Sequence, residues 1–349
     1  MTGKGQKAAK GFASLRKAPE FMGLILLLIV IILNIITQGA GFFSANNFSM
    51  IFSKNTPLIL LTMAQSIVIL TGNIDLSVGI QMSMVNVLAV MLPTYTGMPI
   101  WVAWIVGFLA AVVVSTLNGI IVGYLRIPPM LATYGMSYII KGINVILMPE
   151  PQGSVPQAVW KFYDGTILGL PTTLYLLLIV LGVWTALKRY PAIKEIYALG
   201  GSEKNTYATG LDTVKITIRS YFICGIFVGL AGLCMTAMIA SGNPISGDVM
   251  TLTSVAACLL GGVLISGGWG SMICGMLGAL FLAFVTNTVS YLFIKLLPAL
   301  IPGFQLSNFY QDLISEMIIL LGLTLSVLAS KKGRRRLKKL VTGKEEDSK

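Results

Sequence analysis

Long apolar runs alternate with short polar breaks along almost the whole of this chain. A run of about 20 apolar residues has the length of a bilayer-crossing helix. Ten such segments are read here: 21–38, 50–71, 79–93, 100–123, 127–148, 167–187, 217–240, 252–266, 271–294 and 309–329. Segments 79–93 and 252–266 look short for a full crossing and are expected as half-helices or re-entrant pieces. The runs are too long and too continuously apolar for the alternating strands of a barrel, and a bilayer core tolerates only helices or closed barrels. The expected fold class is all-α: a polytopic helical membrane protein of about ten transmembrane helices, with short or broken helices near a transport path and both termini cytoplasmic.

Composition sharpens that expectation. Of 349 residues, 55% are hydrophobic and only 11% charged, against about a quarter charged in a soluble domain. Histidine is absent, which removes the commonest general base and metal ligand. The four cysteines, Cys224, Cys234, Cys258 and Cys274, lie in apolar segments without CxxC spacing and read as small hydrophobes at helix contacts. No Walker A sequence is present, so no nucleotide hydrolysis is expected in this chain and no cofactor is called for. No cleavage site follows the first apolar run, which reads as a retained helix.

The basic residues orient the helices. Stretches 1–20, 188–219 and 330–349 hold five, six and nine of the 25 Lys and Arg. With ten helices all three fall on the cytoplasmic side, a strong positive-inside pattern. The expected division is a basic N-terminus (1–20), a permease domain (21–329) with an inner loop at 188–216, and a basic tail (330–349). The tail "KKGRRRLKKL" is read as an orientation signal and lipid contact, with no nucleic acid as partner.

Polar islands between the runs carry the chemistry. In "TGNIDLSVGI" (71–80), Asp75 sits beside Gly72, Ser77 and Gly79. Two roles are open to it: capping the orphan N–H groups of the following helix, or lining a substrate or ion path as an intramembrane acid. The stretch 241–270 repeats the theme, with glycines, a proline and "SGGWG" around a short apolar run. It reads either as tight turns or as a broken helix along a path. Candidate path residues are Asn118, Asn243, Thr251, Ser266 and Trp269. Gly119 and Gly123, like Gly225 and Gly229, have the spacing of close helix contacts. Lys141 either pairs with an acid or snorkels, and Asp312 and Glu316 share one face of segment ten.

At this point a family resemblance emerges. "LTGNIDLSVG" resembles the "TGGIDLSVG" signature of permease subunits from bacterial ABC importers of the ribose, xylose and galactoside type. "LNGIIVGYLRIPPMLATYGM", "IYALGGSEKNTYATGLDT" and "LLGGVLISGGWGS" resemble further family segments in the same order. Departures occur at Asn73, Ser202, Asn205–Thr206, Thr251 and Trp269. The resemblance implies a multi-pass protein of the plasma (inner) membrane that imports a monosaccharide or related polyol by alternating access. It implies cytoplasmic ATPase subunits, an extracytoplasmic sugar-binding protein, and a second permease, copy or paralogue, as partners. Loop 188–216 would hold the helix that docks into the ATPase. Gly200, Gly201 and Gly210 are expected to bend the chain at its ends, and Glu203 and Lys204 to face the partner or water. The alternative from another class is a secondary transporter with Asp75 as its proton or cation site.

Overall fold

The computed structural model describes residues 18–300 and isolated positions between 310 and 324. Segment ten with Asp312 and Glu316, the C-terminal tail and nearly all of the basic N-terminus lie outside the described residues. The chain forms two compact units, one ending at Phe284 and one beginning at Val285.

Every segment read within the described residues is a helix. They are α1 (Phe21–Gln38), α2 (Ala45–Leu70), α3 (Val78–Thr96), α4 (Ile100–Gly123), α5 (Pro129–Leu147), α6 (Gln157–Tyr163), α7 (Thr172–Leu187), α8 (Pro191–Gly201), α9 (Glu203–Ala208), α10 (Thr213–Ile239), α11 (Met250–Gly261), α12 (Met272–Tyr291) and α13 (Leu297–Leu300). A π-turn, Leu292–Leu296, joins the last two. Two short strands, β1 (Thr166–Ile167) and β2 (Leu170–Pro171), pair antiparallel before α7.

Among the described residues six helices are long and apolar enough to cross a membrane, and α7 with α8, bent by 82°, makes a seventh if taken as one span. The shortfall from ten has physical causes within the described residues. Helix α2 is 26 residues long but carries Lys54, Asn55 and Gln65 among its apolar residues. Helix α11 has only 12 residues, as its short run suggested. Segment 79–93 needs correction: α3 has 19 residues and runs past Pro93 to Thr96. The proline, a usual helix breaker, sits one turn before the end rather than at it.

Helix α2 is the core of the first unit. All of its residues from Thr56 to Leu70 are buried. Its hydroxyls are satisfied inside the helix: Thr56, Thr62 and Ser66 donate to the carbonyls of Phe52, Leu58 and Thr62, each at 2.8 Å. Such back-bonding lets a hydroxyl sit in a dry core without an orphaned donor.

Helices α4 and α10 pack through the four glycines singled out above. A Cβ at Gly119 or Gly123 would meet Tyr221 or Thr217, and one at Gly225 or Gly229 would meet Val112 or Phe108. The pairing order shows that α4 and α10 run antiparallel. Helix α3 runs parallel to α10, since Gly232 lies against Met82 and Val85 while Asn86 reaches Thr236. Small residues give backbones this close approach where hydrophobicity offers no drive within lipid.

Candidate functional site

Connections predicted for the inner side meet at one glycine junction. Gly72, after α2, has φ of 84°, and Gly267 and Gly268, in "SGGWG", have φ of 79° and 71°. These are left-handed conformations that glycine adopts at no steric cost. A Cβ on Gly267 would lie 2.6 Å from the Gly72 nitrogen and 3.0 Å from the Gly200 Cα. A Cβ on Gly268 would lie 2.8 Å from the Gly201 Cα, and one on Gly200 would run into the Leu70 carbonyl oxygen. The Gly268 N–H donates to that same carbonyl at 3.0 Å. Three sequence islands far apart in the chain thus touch backbone to backbone. A fourth inner connection joins them through the Arg126–Glu203 ion pair, with Arg126 itself at φ of 57°.

The stretch 188–216 is mostly helical, with breaks at 188–190, Ser202 and 209–212, rather than an open loop. Helix α8 ends at Gly201, and the Ser202 side chain caps α9 by accepting from the Asn205 N–H at 3.3 Å. Gly210, with φ of 82°, follows α9. The Asp212 side chain then caps α10, accepting from the Lys215 N–H at 3.1 Å. That N–H and the neighbouring ammonium hold the Asp212 carboxyl below the usual carboxylate range. Glu203, Lys204 and Tyr207 are exposed on α9. Gly201 takes no left-handed conformation, and nothing lies within 4 Å of a Cβ built there. The tightly packed glycine is Gly200.

Asp75 is fully buried between α2 and α3. Its Oδ1 accepts from the Ser77 N–H at 2.8 Å and the Ser77 hydroxyl at 2.5 Å. The acceptor therefore serves the residue flanking α3, not the N–H groups of the first turn. The Gln65 carboxamide, oriented to satisfy both groups, donates to the Asp75 carbonyl at 3.1 Å and accepts from its N–H at 3.2 Å. Ser77 Oγ accepts from Gln81 at 2.7 Å and from Asn118 at 2.8 Å, and Ser115 donates to Gln81 at 2.7 Å. Asp75 Oδ2 and Asn118 Oδ1 have no hydrogen-bond partner among the described residues.

Further along α3, the same polar face supports a non-helical segment. Residues 241–249 separate α10 from α11 and run beside α3 from Asn86 to Gly79. The Asn86 amide donates to the Ser241 carbonyl at 3.0 Å and accepts from the Asn243 N–H at 2.7 Å. Ser83 Oγ accepts from the Gly247 N–H at 2.9 Å, and Asn144 of α5 donates to the Pro244 carbonyl at 3.1 Å. Thr251 Oγ1, at the start of α11, accepts from the Gly79 N–H at 3.1 Å. A Cβ on Gly79 would collide with the Gly247 carbonyl, so only glycine lets the segment lie this close. Irregular backbone among membrane helices must be satisfied by protein, and these side chains satisfy it.

The five candidate path residues fall in three places. Asn118 is fully buried in the Ser77 network. Asn243 lies in the unwound segment and Thr251 just after it, and Thr251 lines a cavity of about 170 Å³. Ser266 and Trp269 are exposed beside the inner junction. Lys141 pairs with Asp248 on the unwound segment at 2.5 Å and lines the same cavity. Asp248 was missed in the sequence; its signal was a lone acid between glycines and an apolar run, the pattern that drew attention to Asp75. A larger hollow of about 660 Å³, lined by Ser49, Lys54 and Asp164 among others, opens at the start of α2, the end of that helix away from the glycine junction. Among the described residues no cluster of Cys, Asp and Glu has the arrangement of a metal site.

Comparison with known proteins fits this architecture. Residues 47–323 match a family described as the permease component of the branched-chain amino acid transport system. The ribose import permease protein RbsC of Escherichia coli is 29% identical over 306 residues, 85% of this chain and 90% of its own length. The D-allose transport system permease protein AlsC of the same organism is 26% identical, covering 83% of this chain and 86% of its own. Its galactose/methyl galactoside import permease protein MglC is 27% identical, covering 77% and 86%. No solved structure matches. All three relatives are named as permease proteins, and each match covers most of this chain. By the extent of the family match, and in keeping with its helical, multi-span architecture, this chain belongs to that family of membrane permease components.

Proposed function

We propose that the chain is the transmembrane subunit of an ATP-driven importer, carrying a monosaccharide or related polyol inward by alternating access. Partner ATPase subunits would supply the energy, an extracytoplasmic binding protein would deliver the sugar, and a second permease, copy or paralogue, would complete the path. The chain needs no cofactor of its own. The family's description names amino acids, whereas the relatives' names specify ribose, allose and galactosides; the sugars are the cargo carried over here.

The observation that carries this reading is the glycine junction. Helix α9 presents Glu203, Lys204 and the 74%-exposed Tyr207 outward, while Gly200 of α8 behind it is wedged against the end of α2. A push on α9 would therefore pass through α8 to the end of α2 and the turn that holds Asp75. Rigid-body movement of packed helices about such contacts is a standard route for transmitting a conformational change. Tyr207 has the character of an interface anchor, a residue type enriched among binding hot spots.

Tyr207→Ala and Lys204→Glu are the test. Each should lower co-purification of the ATPase subunits while leaving yield and thermal stability in detergent unchanged. Normal co-purification of both variants would remove α9 as the docking element. One feature favours a second reading: the Oδ2 of Asp75, buried and without a partner among the described residues, has the character of a proton or cation site in a secondary transporter.

A further inference from the structure

Helix α5 shows its environment through an inconsistency. It exposes Ile139, Ile143 and Ile146, the last at 80%, as a lipid-facing helix would. Yet Tyr134, Ser137, Tyr138 and Lys141 recur on it at three- and four-residue steps, the spacing of one helical face. The Tyr134 and Tyr138 rings meet edge to face with centroids 5.0 Å apart, and their hydroxyls lie 3.0 Å apart. Across from them stand Asp248 and Thr251. The Lys141–Asp248 pair remains 39% and 46% exposed. A half-exposed ion pair in hydrocarbon would carry a large desolvation cost, so this face borders a watery space.

We propose that this cavity is where the transported solute touches the permease in transit, and that the solute is a polyhydroxylated one. This rests on the importer reading above and names the contact that reading lacks. A sugar hydroxyl donates and accepts at once, so it can bridge the Lys141 ammonium and the Asp248 carboxylate. The tyrosine and serine hydroxyls also do both, and the tyrosine rings offer flat apolar faces for the C–H side of a pyranose or furanose. The charges already satisfy each other, so an entering sugar gains little by replacing one partner. Weak binding of that kind suits a step that must release its cargo.

The test uses the full chain with its ATPase and binding protein in proteoliposomes, with ribose, allose and galactose supplied in turn. The charge swap Lys141→Asp with Asp248→Lys keeps an ion pair. It should preserve yield and ATPase co-purification but lower uptake roughly three- to tenfold, as loss of one oriented hydrogen bond would. Full uptake by the swap would reduce the pair to a structural tie and overturn the proposal. Independently, Tyr138→Cys should react with a membrane-impermeant maleimide, because Tyr138 is exposed and the four native cysteines, being buried, give little background, and the transported sugar should slow that reaction. Protection by leucine instead of sugar, or no labelling at all, would contradict a polyol site in water. If the unmodified transporter takes up none of the sugars, the importer reading itself fails. A transporter that works while both variants behave as wild type sinks only this inference.

Discussion

Asp75 and Gly200 show how much one residue can decide here. At position 75 the oxygen that matters is Oδ1, which holds Ser77 through its N–H and its hydroxyl. Asp75→Asn keeps that acceptor and removes only the charge. Asp75→Ala strands the Ser77 N–H at a cost of about 1–3 kcal/mol. Thermal unfolding in detergent should thus show near-native stability for Asn and a clear loss for Ala. An Asn variant that folds but carries no sugar would make the charge functional. Gly200→Ala forces a methyl into the Leu70 carbonyl and should destabilise by about 1–3 kcal/mol or fail to fold, whereas Gly201→Ala should be neutral on the same assay. The sequence could not rank those two neighbours. Both stand in "ALGGS", and only the approach of the Leu70 carbonyl and of Gly268, both distant in the chain, separates the crowded one from the open one.

Among the elements, α3 does the most. Its polar residues Gln81, Ser83 and Asn86, with Ser77 at its N-terminal end, belong to a helix otherwise apolar enough to span, and each bonds a neighbouring segment or side chain. The fold class and the first helix were legible in hydropathy, because burial in lipid demands continuous apolar runs whatever their partners. The purpose of the α3 polar face was not legible, because it serves backbone groups about 160 residues away that become orphans only once 241–249 unwinds. The Lys141–Asp248 pair was hidden for the same reason. Asn86→Ala should leave α3 helical but free the Ser241 carbonyl and the Asn243 N–H, with a loss of about 1–3 kcal/mol. The expected signature is faster proteolysis or hydrogen exchange at 241–249 without change elsewhere. Uniform destabilisation would mean that α3 and the unwound segment do not form a separable unit.

At the scale of the molecule, the packing directions of α3, α4 and α10 agree with alternating spans, and the inner connections gather at one place. The basic residues predict both termini on that same side, so reporter fusions at residues 5 and 345 should both read cytoplasmic. A reading of outside at either would break the even count. The central claim is that the chain moves its cargo because partners push on α8 and α9, and not because an ion passes Asp75. The most direct measurement is sugar uptake into proteoliposomes holding the full assembly, with ATP trapped on the ATPase side and no ion gradient, then with a gradient and no ATP. Uptake should follow ATP and be indifferent to the gradient. Uptake that persists without ATP and collapses with the proton or sodium gradient would contradict the account and make Asp75 the coupling site of a secondary transporter.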